Sequence, residues 1–460
     1  MSSDPLAWKS RPFRELVRLA WPICVSMISY SAMTLIGTLF VGRLGPASLA
    51  AIGLGGITSF TTICFGFGVL RSAKVLVSQA IGAGRRERVL ACTGATLVSG
   101  FGLGALALGV GPLIAAALPG LSSSGEAGRL ASEYFAIRNL GAPLFLLAIG
   151  LREVRYGIGD SRSPMLATLV ANIANIGFDA LFIFGLGLGV AGAAWATVVA
   201  SAIDLAMMLL AQRTDGFGLK SVRASDLQAL LRLGWPLGVQ FVLEVGAFSV
   251  LVLLLARVGE VDLAAHQIAI QLCHFSFLPA LALGEAASVL SGQAVGAGAD
   301  SLVRRIARLT LGAVSLYTGA CTLLFAFGAS FLAALFTDAP PVRALATRLI
   351  WIAAAFQLFD GANIVARTVL RGTGDVRFPA LVGVITAWIC TPPLTLLLGI
   401  ELRMGAVGGW LALCLEIFCG TAIVWWRLES GHWRRAAERS RAELRREIEA
   451  AEPGVEAVPG

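Results

Sequence analysis

The chain has 460 residues, of which 57% are hydrophobic and only 14% charged, against about 25% charged in a soluble globular protein. That balance excludes a water-soluble enzyme and a disordered chain. The 36 Lys and Arg behind the net charge of +8 recur in alternate loops and form no basic face, which argues against a nucleic-acid binder. One span of the hydrocarbon core takes about 20 apolar residues, so about 12 spans with short connections fill this length, and the 53 glycines suit membrane helices that pack through small residues.

Apolar runs between charged punctuation predict six spans near residues 17 to 41, 48 to 81, 89 to 117, 129 to 151, 163 to 187 and 190 to 211. Six more follow near 229 to 256, 263 to 296, 306 to 336, 343 to 370, 378 to 399 and 405 to 426. The first run follows Lys9, Arg11 and Arg14 but is long and lacks a small-residue cleavage pattern, so it is expected to stay as a helix. The expected fold is all-α and integral to the membrane, with 12 transmembrane helices in two pseudo-symmetric six-helix bundles around a central cleft. The divisions are an N-terminus to residue 15, an N-lobe from 16 to 212, a linker from 213 to 226, a C-lobe from 227 to 427 and a charged tail from 428 to 460.

Most basic residues fall on one side of this arrangement, among them Arg85, Arg86, Arg88, Arg152, Arg155, Arg304, Arg305, Arg308, Arg367, Arg371 and Arg377. The other side holds Arg43, Arg129, Arg138, Arg257, Arg343, Arg348 and Arg403. By the positive-inside rule both termini are expected in the cytoplasm, with the protein in a bacterial inner membrane. The eight cysteines lie in apolar runs without a CxxC pair, and the three histidines are scattered. Neither disulfides nor a metal centre are indicated, and no cofactor is expected.

The strongest organisational signal is an internal repeat. Leu16-Val17-Arg18-Leu19-Ala20-Trp21-Pro22 recurs as Leu230-Leu231-Arg232-Leu233-Gly234-Trp235-Pro236, and Gln79-Ala80-Ile81-Gly82-Ala83-Gly84 recurs as Gln293-Ala294-Val295-Gly296-Ala297-Gly298, both at an offset of 214. Gly157, Gly159-Asp160, Arg162 and Pro164 recur as Gly372, Gly374-Asp375, Arg377 and Pro379 at an offset of 215. Each half holds an even number of spans, so both insert with the same orientation about an axis along the membrane normal.

Of the 28 acidic residues, six fall within spans: Asp179, Asp204, Glu244, Glu285, Asp360 and Glu416. Each costs a few kcal/mol at the bilayer centre, so each either bonds a neighbouring helix or marks a functional site. Glu244 lies nine residues past Trp235, about 13 Å along a helix at 1.5 Å per residue, and Asp360 lies seven residues before Arg367. A deep carboxylate without a partner is protonated or balanced by a cation, which makes these two the candidate cation-coupling residues, with Na⁺ held through oxygen ligands as one form of the site.

In this order and register, the Trp-Pro starts, the Gly-Ala-Gly ends and the twin Gly-x-Gly-Asp-x-Arg-x-Pro motifs resemble the multidrug and toxic compound extrusion (MATE) transporters, over roughly residues 13 to 427. Glu244 and Asp360 are similar to the C-lobe acids that bind the coupling cation in NorM-like members. The resemblance implies Na⁺ or H⁺ antiport against organic cations. One departure is Gly37, where the NorM-like first helix usually carries an aspartate, which weakens the N-lobe site proposed for the DinF-like branch. Asn175 and Asp179 match the fifth helix and lie four apart on one face; they form either a second polar site in the N-lobe or a structural hydrogen-bond cluster.

The repeat adds one more reading, since 214 added to Arg71 gives Glu285. Arg71 and Lys74 either pair with Glu285 across the cleft as a cytoplasmic gate, or snorkel to the headgroups while Glu285 bonds within its own lobe. Gln240, Gln267, Gln271, Gln357 and Asn363 are candidate cleft-lining groups for the substrate. The tail from 429 to 452 alternates charge at helical spacing and reads as a solvated helix, Leu444 and Ile448 giving it only a thin apolar stripe. The expected protein is a monomeric antiporter whose partners are a small organic molecule and membrane lipids, not nucleic acid. The alternative is an exporter or flippase of lipid-linked precursors or metabolites of the same superfamily, which would want a strongly cationic cleft. Neither an Asp-rich metal motif nor a nucleotide loop supports an enzyme.

Overall fold

Long apolar runs closed by Gly, Pro and basic residues give a chain that is helical throughout in a computed structural model describing residues 6–122 and 124–451, with side chains to residue 443. The first half holds α1 (Pro12–Gly42), α2 (Pro46–Leu70), α3 (Ser72–Gly82), α4 (Arg86–Ala117), α5 (Gly125–Leu140), α6 (Ala142–Ile158), α7 (Arg162–Asp179) and α8 (Gly189–Gln212). The second holds α9 (Ala224–Val258), α10 (Glu260–Gly296), α11 (Asp300–Ala334), α12 (Pro340–Gly372), α13 (Arg377–Leu394) and α14 (Ala406–Ser430), followed by the tail helix α15 (Arg434–Ala451). Among the described residues eleven helical stretches are long and apolar enough to cross a membrane, and α5 with α6 makes a twelfth, bent by 50°.

Two expected spans are not straight helices. The second breaks at Arg71 into α2 and α3, where the Ser72 hydroxyl takes the carbonyl of Val69 at 2.7 Å and competes with the backbone ladder. The fourth bends at Gly141, just before Pro143, whose ring nitrogen offers no proton to the preceding turn. The repeat is visible down to such details: π-helical turns follow α7 at Ala180–Gly185 and α13 at Thr395–Glu401.

In the twin Gly-x-Gly-Asp motifs, Gly159 and Gly374 stop their helices at φ +93° and +87°, a conformation that only glycine adopts without strain. Asp160 then accepts the backbone N–H groups of Arg162 and Ser163, both at 3.0 Å, to start α7. Burial alone would raise its carboxyl, but hydrogen bonds from Ser163 and Arg155 outweigh that and hold it below the usual carboxylate range. The motif is a helix stop and restart, which accounts for its appearance in both halves.

The halves join crosswise: α1 packs on α10 and α2 on α9. Leu16, Leu19, Ala20 and Ile23 of α1 share one core with Val289 and Leu290 of α10, Ile306 of α11 and Val365 of α12. The linker is pinned to the first half, because Arg155 reaches Asp215 at 2.5 Å and Arg88 pairs with Asp226.

The charged tail helix is exposed along most of its described length, as its charge pattern suggests, but it is anchored at its start. Trp433 and Ala437 are fully buried against α10, α11 and α14, and Trp433 donates its indole N–H to the carbonyl of Leu428 at 3.1 Å. Arg441 then forks onto Asp300 at 2.6 and 3.2 Å. A single indole supplies the burial that the charge alternation hides. The stripe of Leu444 and Ile448, and the tail from residue 452, lie outside the described residues. Trp433→Ala is expected to destabilise the protein by about 3 kcal/mol, read as a lower melting temperature in detergent. Arg441→Ala removes a half-exposed pair and is expected to cost under about 1 kcal/mol.

Candidate functional site

The lobes touch from near the middle of their helices down to the end that carries the start of α1, the tail helix α15 and most arginines, the basic end. Outermost, Ser31 of α1 lies 3.4 Å from His274 of α10, and the ring of Phe241 on α9 packs against Phe60 and Phe67 of α2, centroids 6.1 and 5.2 Å apart. These rings floor the cleft. Below them the backbones of α2 and α9 meet at Gly68 and Gly238, where an added Cβ on Gly68 would come within 2.7 Å of the facing chain.

The next layer is ionic. Arg71 and Lys74 both pair with Glu285 of α10, one to each carboxylate oxygen, and Lys74 also lies 3.1 Å from Glu153 of α6. Of the two arrangements open to the sequence, these side chains adopt the pairing between lobes. Lys74, Glu153 and Glu285 are buried, and Arg71 is 15% exposed. A buried ion pair holds only when the mutual attraction and added hydrogen bonds offset the loss of water; Arg71 beside Glu285 and Glu153 beside Lys74 meet that demand. Beneath this layer the ends of α3 and α10 cross at Gly82, Gly292 and Gly296, and Gln79 donates to the carbonyl of Gly372 at 3.2 Å. At the basic end the cleft is shut.

Beside the floor lie the C-lobe acids. Glu244 of α9 is 30% exposed and is not the isolated carboxylate expected from its depth: Arg367 of α12 donates to its Oε1 at 2.6 Å and Gln240 to the same oxygen at 2.9 Å. Arg371 donates to Gln240 Oε1 at 3.1 Å. Both arginines sit within α12, so they are not solvent-side orientation charges. Their long side chains reach along the helix from near its end. Asp360, two turns back on α12, is half-buried and makes no hydrogen bond or ion pair among the described residues. Glu416 of α14 accepts from the Thr391 hydroxyl. Asp204 pairs with Arg152 at 2.7 Å within the first lobe.

In that lobe Asn175 and Asp179 are buried on α7, and Asp179 Oδ1 and Asn175 Nδ2 have no hydrogen-bond partner among the described residues. A Cβ on Gly37 would lie 3.4 Å from Asp179 Oδ2. Position 37 therefore faces this pair, and glycine there leaves Asp179 as the only carboxyl of the cluster.

The candidate cleft groups separate. Gln267 and Gln271 are exposed on the face of α10 that carries His274 and looks toward α1. Gln357 and Asn363 are instead buried between C-lobe helices, donating to Ser276 at 2.5 Å and to Thr421 at 3.2 Å, and Gln240 is buried beside Glu244. Sequence reasoning missed Arg367, Arg371 and Glu153; the seven-residue step from Asp360 to Arg367, two turns along one face, was the available signal.

A family model described as MatE matches residues 22–181 and 236–397, one stretch in each lobe. A probable multidrug resistance protein NorM of Deinococcus radiodurans is 33% identical over 87% of this chain and 91% of its own length. The corresponding protein of Burkholderia pseudomallei is 31% identical over 95% and 96%. Among solved structures, a MATE in the bent conformation superposes with a TM-score of 0.87 at 20% identity over 95% of this chain and 100% of that one. An outward-facing multidrug resistance MATE family transporter gives 0.85 at 20% identity over 94% and 99%. These structures share the fold.

Glu285→Gln leaves Arg71 and Lys74 facing each other across a buried site and is expected to cost about 3 to 5 kcal/mol, read as a lower melting temperature. A double-mutant cycle of Arg71→Ala with Glu285→Ala is expected to give a coupling of at least about 1 kcal/mol; strictly additive losses would show that the two lobes are not joined through this pair.

Proposed function

We propose that this chain, which belongs to the MatE family of multidrug and toxic compound extrusion transporters, exports small organic, mainly cationic, compounds in exchange for Na⁺ or H⁺ by alternating access. It is a multi-pass membrane transporter and not an enzyme. The names of its NorM relatives, probable multidrug resistance proteins, support the substrate class. The observation that carries the exchange mechanism is Asp360: a carboxyl with no hydrogen bond or ion pair among the described residues, beside a cleft between two repeated lobes. In a bundle that excludes water such a group takes a proton or a cation. Substrate cation and coupling ion then compete for one acidic site, and that competition links their fluxes.

The rocking element is the pair of lobes. With the cleft floored by Phe241 and locked by Glu285 against Arg71 and Lys74, exchange takes place from the side opposite the basic end. Opening the basic end requires these buried charges to part, so the ion cluster acts as the gate of the closed state. The excess of arginines at that end supports a cytoplasmic location for it by the positive-inside rule. The four cations near the floor, Arg71, Lys74, Arg367 and Arg371, are matched in number by Glu285, Glu153, Glu244 and Asp360. No net cationic cleft results, and this favours organic cations over lipid-linked phosphates. Asn175 and Asp179 are a second polar site in the N-lobe, reduced by Gly37 to one carboxyl. The transporter works as a monomer and needs no cofactor beyond the coupling ion.

Efflux of a fluorescent organic cation from proteoliposomes, under Na⁺ and pH gradients imposed separately, tests the reading and identifies the ion. Asp360→Asn is expected to bring gradient-driven efflux down to the rate of protein-free liposomes, and Glu244→Gln to reduce it. Unchanged efflux in both variants would remove the site assignment.

A further inference from the structure

We infer that Arg367 is a tethered cation that occupies Glu244, so that a free cation binds this carboxylate through both oxygens only by displacing the guanidinium. The inference rests on the proposed reading that Glu244 and Asp360 form the exchange site, and it adds the residue that sets what that site accepts.

The first ground is the set of groups around Glu244 Oε1, which receives two N–H donors, Arg367 Nη2 at 2.6 Å and Gln240 Nε2 at 2.9 Å. The amide is turned that way because its oxygen is engaged by Arg371 at 3.1 Å. A hard cation such as Na⁺ binds through oxygens. Here Oε1 is ringed by the positive ends of N–H bonds and only Oε2 is left to a cation, next to a fixed positive charge, so the site as built fits Na⁺ poorly.

The second ground is the space. Gly383 of α13 forms the wall behind the pair, and a Cβ there would overlap the guanidinium and come within 2.5 Å of Glu244 Oε1. One turn further along α13, the Trp388 indole donates to the carbonyl of Leu243 at 3.0 Å and fixes α13 against α9. Glycine at 383 is thus the provision that lets an arginine lie against the carboxylate.

The third ground is permanence. Guanidinium does not lose its proton in proteins, so the pair stays neutral with no ion bound. An attached competitor acts at a high effective concentration, in the millimolar range or above for short tethers, and weakens any free cation by the same factor. Asp360 lies two turns away on the same face of α12, with no hydrogen bond or ion pair among the described residues, and remains the carboxyl open to exchange.

Equilibrium binding of radioactive Na⁺ to the detergent-purified full chain tests this without transport. Arg367→Gln is expected to bind Na⁺ at least about tenfold more tightly than wild type, a difference of about 1.4 kcal/mol, and adding Glu244→Gln is expected to abolish the gain. Equal affinities in wild type and Arg367→Gln overturn the inference, as does an absence of saturable binding in Arg367→Gln. If that variant does not survive purification, Arg367→Lys keeps the charge without the planar fork, and an intermediate gain is expected; no gain overturns it. Saturable Na⁺ binding to wild type that Glu244→Gln removes, at an affinity Arg367→Lys does not change, also overturns it. Loss of efflux in Asp360→Asn together with unchanged Na⁺ binding in Arg367→Gln would sink this inference alone and leave the exporter reading in place.

Discussion

A charge inside an apolar bundle has no water to answer it, and the arrangement of this protein follows from how each deep charge is answered. Moving an ion into such surroundings costs several kcal/mol after relaxation, more than packing contacts readily return. Asp204 is met by Arg152, Glu285 by Arg71 and Lys74, and Glu244 by Arg367. The partners are not equivalent in consequence. The Asp204 pair lies within one lobe and ties helices that stay together. The Glu285 cluster spans two lobes and ties bodies that separate in the proposed cycle. Three deep carboxyls lack an ionic partner among the described residues: Glu416, which takes the Thr391 hydroxyl instead, and Asp360 and Asp179, the two proposed to meet something from outside the chain.

Close backbone approach makes the ionic layer possible. Arg71 and Lys74 reach Glu285 only because α2 and α9 touch at Gly68 and Gly238 above them, and α3 and α10 cross at Gly82 and Gly296 below. Between two glycine crossings the helices are too close to admit bulk water, and the charges there are held in a low-dielectric layer. The 53 glycines are thus partly positional, since small residues let helices meet where lipid gives no hydrophobic drive to do so.

Much of this was legible in the sequence, and the reasons are uneven. The spans follow from apolar length, and the two lobes follow from a register held at 214 to 215 residues. The repeat also gave the Arg71 to Glu285 juxtaposition, because equivalent positions in two lobes face one another across their axis. The role of Arg367 was hidden, since an arginine near a helix end looks like an orientation charge when only its Cα is placed; its side chain then carries the charge inward. The break at Arg71 was hidden because a hydroxyl stealing one carbonyl leaves no mark on hydropathy. The docked tail was hidden because burial of Trp433 and Ala437 alone offsets a long polar helix. Gln357 and Asn363 looked like cleft groups for lack of knowledge of which helix face meets a neighbour.

The crossing at the basic end has a symmetry that bears on how it can open. Gly82 rests against the backbone of Gln293, and Gly296 against the backbone of Gln79, so each half offers the other the same patch it receives. Such an isologous contact is made of two copies of one interaction related by the axis between the lobes. Parting the lobes along the line that joins them loosens both copies together, since each is the other's image. Closure at this end is therefore made twice by one pattern of residues, and a substitution in that pattern in either half weakens both lobes' hold on each other.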